Sequence, residues 1–203
     1  MSGGSDICGT SYSAAKRNAK EEKSEKGDRT TKSSSLTEKK VICFDDGDRD
    51  DVQDPHHDGL VITLYISNHF IRRILIDGQS SVNIIQLEVL KRMGIPDSKI
   101  VSKSSILVGF SGEVKNTVGD ITLPIYIEGV NAIQKFCVID SLSCYNIIVG
   151  RPWIHDMKVV PLMYHQCVKM PTPWGVVKIN SDQQEAKDYY TSSMKASAKT
   201  RQA

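Results

Sequence analysis

The sequence predicts a mostly-β fold, a closed barrel or a sandwich carrying one or two short helices between two polar tails. Three observations carry that prediction. From Leu60 onward, apolar residues alternate with polar ones in short runs rich in Ile and Val. Clusters of Gly, Asn, Asp and Ser separate those runs. The hydrophobic fraction, 39% over 203 residues, lies below the ~45–50% usual for globular domains, so part of the chain contributes little to a core.

The elements follow in order. Residues 1–40 are mainly Ser, Lys, Glu, Gly and Thr. Such a segment buries too little surface to offset its ordering entropy and reads as a disordered polar tail. Residues 41–58 open with an apolar VICF and continue through Asp45, Asp46, Asp48, Asp50, Asp51, Asp54 and Asp58. That spacing lacks the central Gly and closing Glu of an EF-hand loop, so it reads as a solvated acidic linker. The folded domain is assigned to 59–180. Leu60, Ile62, Leu64 and Ile66 form one strand, Ser67-Asn68-His69 a turn, and Phe70 to Ile76 a second strand, which together make a hairpin. Val82 to Ile85 is strand-like. Residues 86–93 read as a helix stopped by Gly94 and Pro96.

Ile106 to Val108 is a short apolar run before Gly109-Phe110-Ser111-Gly112. Ile121, Leu123, Ile125 and Ile127 alternate strictly with Thr122, Pro124 and Tyr126, and Pro124 marks an edge or a bulge. Further strands are expected at 134–139, 147–149, 158–163, 166–170 and 175–179. A short helix is expected from Arg151, with Pro152 in its first turn. Residues 181–203 form a polar C-terminal tail, with a frayed helix over 182–190.

Several function classes are disfavoured. The 26 basic and 24 acidic residues leave a net charge of +2, which argues against a dedicated polyanion binder. No apolar run approaches the ~20 residues of a membrane helix. The N-terminus lacks the apolar core of a secretory signal. Five cysteines, odd in number and without a CxxC pair, fit reduced thiols and a cytoplasmic location, with the nucleus as the alternative. Neither a metal nor a cofactor is called for. No zinc-knuckle, reverse-transcriptase or integrase segment accompanies the domain, so a solitary remnant or a fragment is expected.

Chemistry concentrates in ILIDGQSSVNII, residues 74–85. Asp77 ends an apolar strand immediately before a turn. A partly desolvated carboxylate needs donors or a role. Two readings stand: a catalytic carboxylate, or an Asp that caps its own turn. Two more segments bear on the choice. CYNIIVGRPW, 144–153, places three apolar residues before Gly150. LVGFSGE, 107–113, is a Gly-flanked tip between two strands, of the kind that folds over a cleft.

With these residues in view, the sequence resembles the retropepsin-like aspartic proteases, specifically those in polyproteins of plant gypsy-type retrotransposons. The resemblance rests on PHHDGLVI (55–62), LIDGQSSVNII (75–85), LVGFSGE (107–113), NIIVGRPWIH (146–155) and PTPWGVVKI (171–179), and runs from about Asp45 to about Tyr190. It implies a closed mostly-β fold and a homodimer that cleaves an extended polyprotein peptide without a cofactor. Each chain would supply one catalytic aspartate, Asp77. It further implies that Gly78, Gln79 and Ser80, with the flap residues Gly109, Phe110, Ser111 and Gly112, line the substrate, and that Ser81 and Gly150 support the active-site loop.

The chain departs from the family at two points, the milder being Asn83, where many relatives carry Asp; the other is the active-site triplet. The family reads Asp-Thr-Gly or Asp-Ser-Gly; this chain reads Asp77-Gly78-Gln79. Gly78 lacks the hydroxyl that, in the family, locks the two loops together. Gln79 places a long amide where the family has Gly. If that backbone position requires a glycine-like conformation, the cost is ~1–3 kcal/mol. The alternative function is therefore a catalytically silent peptide-binding or dimerisation module of the same fold.

Overall fold

The computed structural model describes residues 41–188, apart from Asp50, Ser104, Phe110 and Leu142. The expected tail over 1–40 lies outside the described residues, as do residues 189–203 of the tail expected over 181–203 and the flap residue Phe110. The elements are β1 (Val61–Ile66), β2 (His69–Ile76), β3 (Ile84–Gln86), α1 (Leu87–Arg92), β4 (Ile106–Val108), β5 (Val114–Asn116), β6 (Gly119–Ile127), β7 (Val130–Ile139), β8 (Ile147–Val149), α2 (Arg151–Asp156), β9 (Val160–Leu162), β10 (Cys167–Thr172) and β11 (Gly175–Asn180). Residues 183–188 are helical.

Six strands close a barrel in the order β1-β2-β8-β3-β7-β6. Closure removes the open edges that a sheet of this size would otherwise expose. The period-two pattern sets which residues fill it. Ile62, Leu64 and Ile66 of β1 and Ile121, Leu123, Ile125 and Ile127 of β6 are buried, while Thr63, Thr122, Pro124 and Tyr126 face outward. Each inward aliphatic side chain contributes about 1.5–3 kcal/mol. α1 and α2 cover the barrel with Val89, Leu90, Trp153 and Ile154.

Pro124 sits where its missing N–H costs least. Its carbonyl accepts from Ser67 N at 3.0 Å, just past the end of β1, and β1 pairs with β6 only at Tyr65↔Tyr126 and Ile66↔Ile125. The absent donor thus faces the end of a ladder, while the β6–β7 register runs unbroken through Pro124↔Ile133. β2 carries an irregularity of its own. Ile62 faces Ile74 and Leu64 faces Ile71, so Arg72 and Arg73 oppose Thr63 alone. Arg73 takes a left-handed backbone, φ 60°, as such bulges allow.

The acidic segment departs from the expected solvated linker at Asp48. A helical turn at Asp46–Arg49 buries this carboxylate. Lys169 Nζ lies 2.6 Å from one of its oxygens and Lys178 Nζ 3.7 Å from the other. The hydrogen bond from Lys169 holds the Asp48 carboxyl below the usual carboxylate range. Lys169 Nζ also donates to Cys43 O at 2.8 Å. Arg49 stacks 3.6 Å over the Tyr164 ring and pairs with Asp54 at 2.5 Å. The segment is a strap across the three-stranded sheet β9-β10-β11, held by partners far along the chain. Residues 181–188 complete this end: Ser181 Oγ accepts from Val61 N at 2.9 Å, and Glu185 pairs with Arg72 at 2.7 Å. No helix among the described residues is long and apolar enough to cross a membrane.

Candidate active site

The loop after β2 begins at Asp77. Its N–H donates to Val149 O at 3.0 Å, which carries the β2–β8 ladder one residue past the strand. The loop then closes on itself. Gln79 N donates to Asp77 Oδ1 at 2.8 Å, and Ser80 N donates to Asp77 O at 3.2 Å. This is an Asx turn, so Asp77 caps its own loop. Only one carboxylate oxygen is engaged; Oδ2 makes no hydrogen bond among the described residues. Asp77 is half-buried, and Gly78 and Gln79 are exposed.

Beneath the loop the packing is tight. A side chain at Gly150 would place its Cβ 2.4 Å from Val82 O and 2.7 Å from Ser80 O. Only a residue without a Cβ admits that approach. Arg151 N donates to Ser80 O at 3.0 Å, and Ser80 Oγ to Val82 O at 2.8 Å. The structure therefore joins Asp77, Ser80 and Arg151 by hydrogen bonds, with Gly150 packed against Ser80 and Val82. Ser81 is exposed beside it.

Gly78 and Gln79 differ from the expectation of strain. Gln79 is not among the residues with a left-handed backbone, so the glycine-specific cost does not arise. The contact it makes to Asp77 comes from its backbone N–H, which any residue but proline supplies. A Cβ at Gly78 would meet nothing within 4 Å.

The tip at 107–113 lies between β4 and β5, which pair only with each other. Gly109 N donates to Glu113 O at 2.9 Å and Gly112 N to Gly109 O at 3.0 Å, with Gly112 at φ 83°. The Ser111 hydroxyl donates to the Glu113 carboxylate, which keeps that acid below its ordinary range. Ile106, Val108 and Val114 are all more than 60% exposed. Among the described residues no hydrogen bond joins this hairpin to the Asp77 loop. Its base is fixed by buried Thr117, whose hydroxyl donates to Lys103 O and accepts from Ser105 N, both at 3.2 Å.

Asn83 is the positioning residue that sequence reasoning did not assign. It is 1% exposed. Its Oδ1 accepts from Gly150 N at 2.9 Å, and its Nδ2 donates to Lys135 O at 3.1 Å and Gln134 Oε1 at 3.3 Å. One side chain thus ties the Asp77 loop, the β8–α2 junction and β7 together. The available signal was a lone polar residue between Val82 and Ile84 in a run bound for the interior.

Chemically, the loop offers a rigid, accessible carboxylate with one free oxygen. A single carboxylate cannot both deprotonate water and protonate a carbonyl in one step, so hydrolysis at this loop requires a second acid.

No family model matches this sequence, and no curated protein sequence matches it. Solved structures do. The retroviral protease-like domain of Ddi1 from Leishmania major aligns with a TM-score of 0.50 at 14% identity, over 62% of this chain and 95% of that one. A retropepsin-like aspartic protease from Rickettsia conorii aligns at 0.40 and 17%, over 60% and 81%. EIAV protease aligns at 0.41 and 15%, over 55% and 99%. The fold is retropepsin-like, and its neighbours among solved structures are retropepsin-like aspartic proteases.

Proposed function

We propose that this chain is an aspartic endopeptidase domain of gypsy-type plant retrotransposon origin, which cleaves polyprotein peptide bonds as a homodimer with Asp77 paired to its symmetry mate. The observation that carries the reading is the Asp77 loop. A retropepsin-like barrel presents one half-buried carboxylate, fixed by Gln79 N–H on Oδ1 and open at Oδ2. Two such carboxylates brought together share one proton, because both do not ionise at close range. The ionised one takes a proton from water. The resulting oxygen attacks the peptide carbonyl carbon, and the second carboxyl gives its proton to the carbonyl oxygen. Collapse of the tetrahedral species breaks the C–N bond, and the amine leaves with a proton from the pair. The two titrations belong to the pair. Residues 59–180 form the catalytic domain in this reading, with the bare β4–β5 hairpin closing over a substrate held as an added strand. A cytoplasmic site of action goes with it.

The test is peptide-library cleavage by the full chain between pH 4 and 7, beside Asp77→Asn. The proposal expects cleavage that vanishes in the variant while the fold persists. Equal cleavage by both proteins overturns it. One observation favours a second reading, a silent peptide-binding module: Gly78 has no hydroxyl to bond across a dimer. On that reading, Gly78→Thr with Gln79→Gly gains an activity that the natural chain lacks.

A further inference from the structure

The outer face of the barrel carries a groove of about 590 Å³ with aromatic walls. Alternation along the strands turns Tyr65 of β1, Phe70 of β2 and Tyr126 of β6 to this side. Register brings them together, because Tyr65 pairs with Phe70 on one flank and with Tyr126 on the other. The rings meet at angles and do not stack. Tyr65 and Phe70 are tilted by 58° with centroids 4.8 Å apart; Tyr65 and Tyr126 stand edge to face, 81° at 6.4 Å. Phe70 is 78% exposed and Tyr126 50%, so both rings are open to a ligand.

The β6–β7 turn, Glu128-Gly129, closes one end of the groove. Trp174 lies against it: a Cβ at Gly129 would stand 2.6 Å from Trp174 Cζ2. The turn is a two-residue connection between Ile127 and Val130, with φ 43° at Glu128 and 82° at Gly129. Such turns favour Asn, Asp or Gly at their first position. A glutamate therefore holds a left-handed backbone against its own preference. Its carboxylate makes no ion pair or hydrogen bond among the described residues, and it is the one charged group among those lining the groove. Turn chemistry does not account for Glu128; a ligand of positive charge does.

Aromatic faces set at angles beside a free carboxylate match a methylated ammonium. The ring quadrupoles attract the cation, and its methyl groups reduce the hydration it must shed. An unmodified lysine ammonium holds its water more strongly. The apolar surface continues past Tyr126 through Pro124 and its cross-strand partner Ile133, both exposed. Chain flanking the cation has a surface to lie on, which favours a polypeptide over a free small ammonium.

We propose that this groove binds a trimethylated lysine side chain of a partner polypeptide, with the ammonium against Tyr65, Phe70 and Tyr126 and Glu128 as its counter-charge. No residue of the Asp77 loop lines the groove, so failure here leaves the protease reading untouched. The test screens the full chain against arrayed peptides that carry one trimethyllysine between varied flanks, beside the same peptides with unmodified lysine. The best binders are then measured by fluorescence anisotropy. Trimethylation should tighten binding about tenfold or more. Phe70→Ala and Tyr126→Ala should each weaken it about fivefold or more, with melts that match the wild type. Glu128→Asn separates recognition from folding. It removes the charge but supplies a residue the turn favours, so binding should fall about threefold or more while the melt stays at or above that of the wild type. Asp77→Asn should bind unchanged. Each of five results overturns the proposal: no trimethyllysine peptide binds, unmodified peptides bind as tightly, all three groove variants bind like the wild type, Asp77→Asn weakens binding, or free choline binds as tightly as the best peptide.

Discussion

The backbone N–H of Gly150 donates to the side-chain Oδ1 of Asn83 at 2.9 Å, and both residues are buried. This bond fastens the start of α2 beneath the Asp77 loop. Removing the Asn83 side chain orphans the Gly150 donor and the Lys135 carbonyl together. Asn83→Ala should therefore lose about 2–4 kcal/mol of stability, read by denaturant unfolding. A loss below about 0.5 kcal/mol would mean that the bond does not hold the loop.

Gly150 tests the packing beneath the loop directly. A Cβ there lies 2.4 and 2.7 Å from two backbone carbonyls, and backbone yields less readily than a flexible side chain. Gly150→Ala should cost about 1–3 kcal/mol, and any cleavage should fall with it because Ser80 and Asp77 must move. A melt unchanged from wild type contradicts the close approach.

Gln79 separates backbone from side chain. Its contact to Asp77 uses the main-chain N–H. Gln79→Ala should keep the carboxylate fixed and alter stability by less than about 0.5 kcal/mol. Gln79→Pro removes the donor and should abolish cleavage in a protein that still folds. Equal activity in the two variants would show that the fixed Oδ1 is unimportant.

The strap gives a pH signature with a definite sign. The Asp48 carboxyl is lowered by its bond from Lys169, and the Lys169 ammonium is raised by the same bond. The Asp48 contribution is complete above the unfolded carboxylate value of about 3.9 and fades as pH falls through the lower folded value. The Lys169 contribution is complete below about 10.4 and fades as pH rises through the higher folded value. Between those limits wild type should melt above Asp48→Asn by a constant margin, and the margin should shrink at either extreme. A difference that is flat down to pH 2 would remove the ion pair from the account.

Most of the barrel was legible because its strands obey one rule. Ile121 to Ile127 alternate in sequence and alternate in burial, so the pattern names the strand and its inner face together. β5 was invisible because Val114, Lys115 and Asn116 are all exposed; a strand with no buried face leaves no periodicity to read. Asp48 was misread because its partner Lys169 lies 121 residues away, and a run of aspartates looks solvated until a distant lysine is placed beside it. In the site, Asp77 stood out as an acid ending an apolar strand. The part played by Asn83 did not, because two of its partners are backbone atoms of Gly150 and Lys135, brought to it only by the fold.

The most direct test of the central claim mixes subunits. Wild-type chain is allowed to exchange with an equal amount of Asp77→Asn chain, and cleavage of a peptide substrate is compared with that of the same wild-type protein alone. If each active site takes one Asp77 from each of two chains, random pairing lowers activity to about half. Activity unchanged by the added variant would mean that one chain suffices, and the paired-aspartate account would be contradicted.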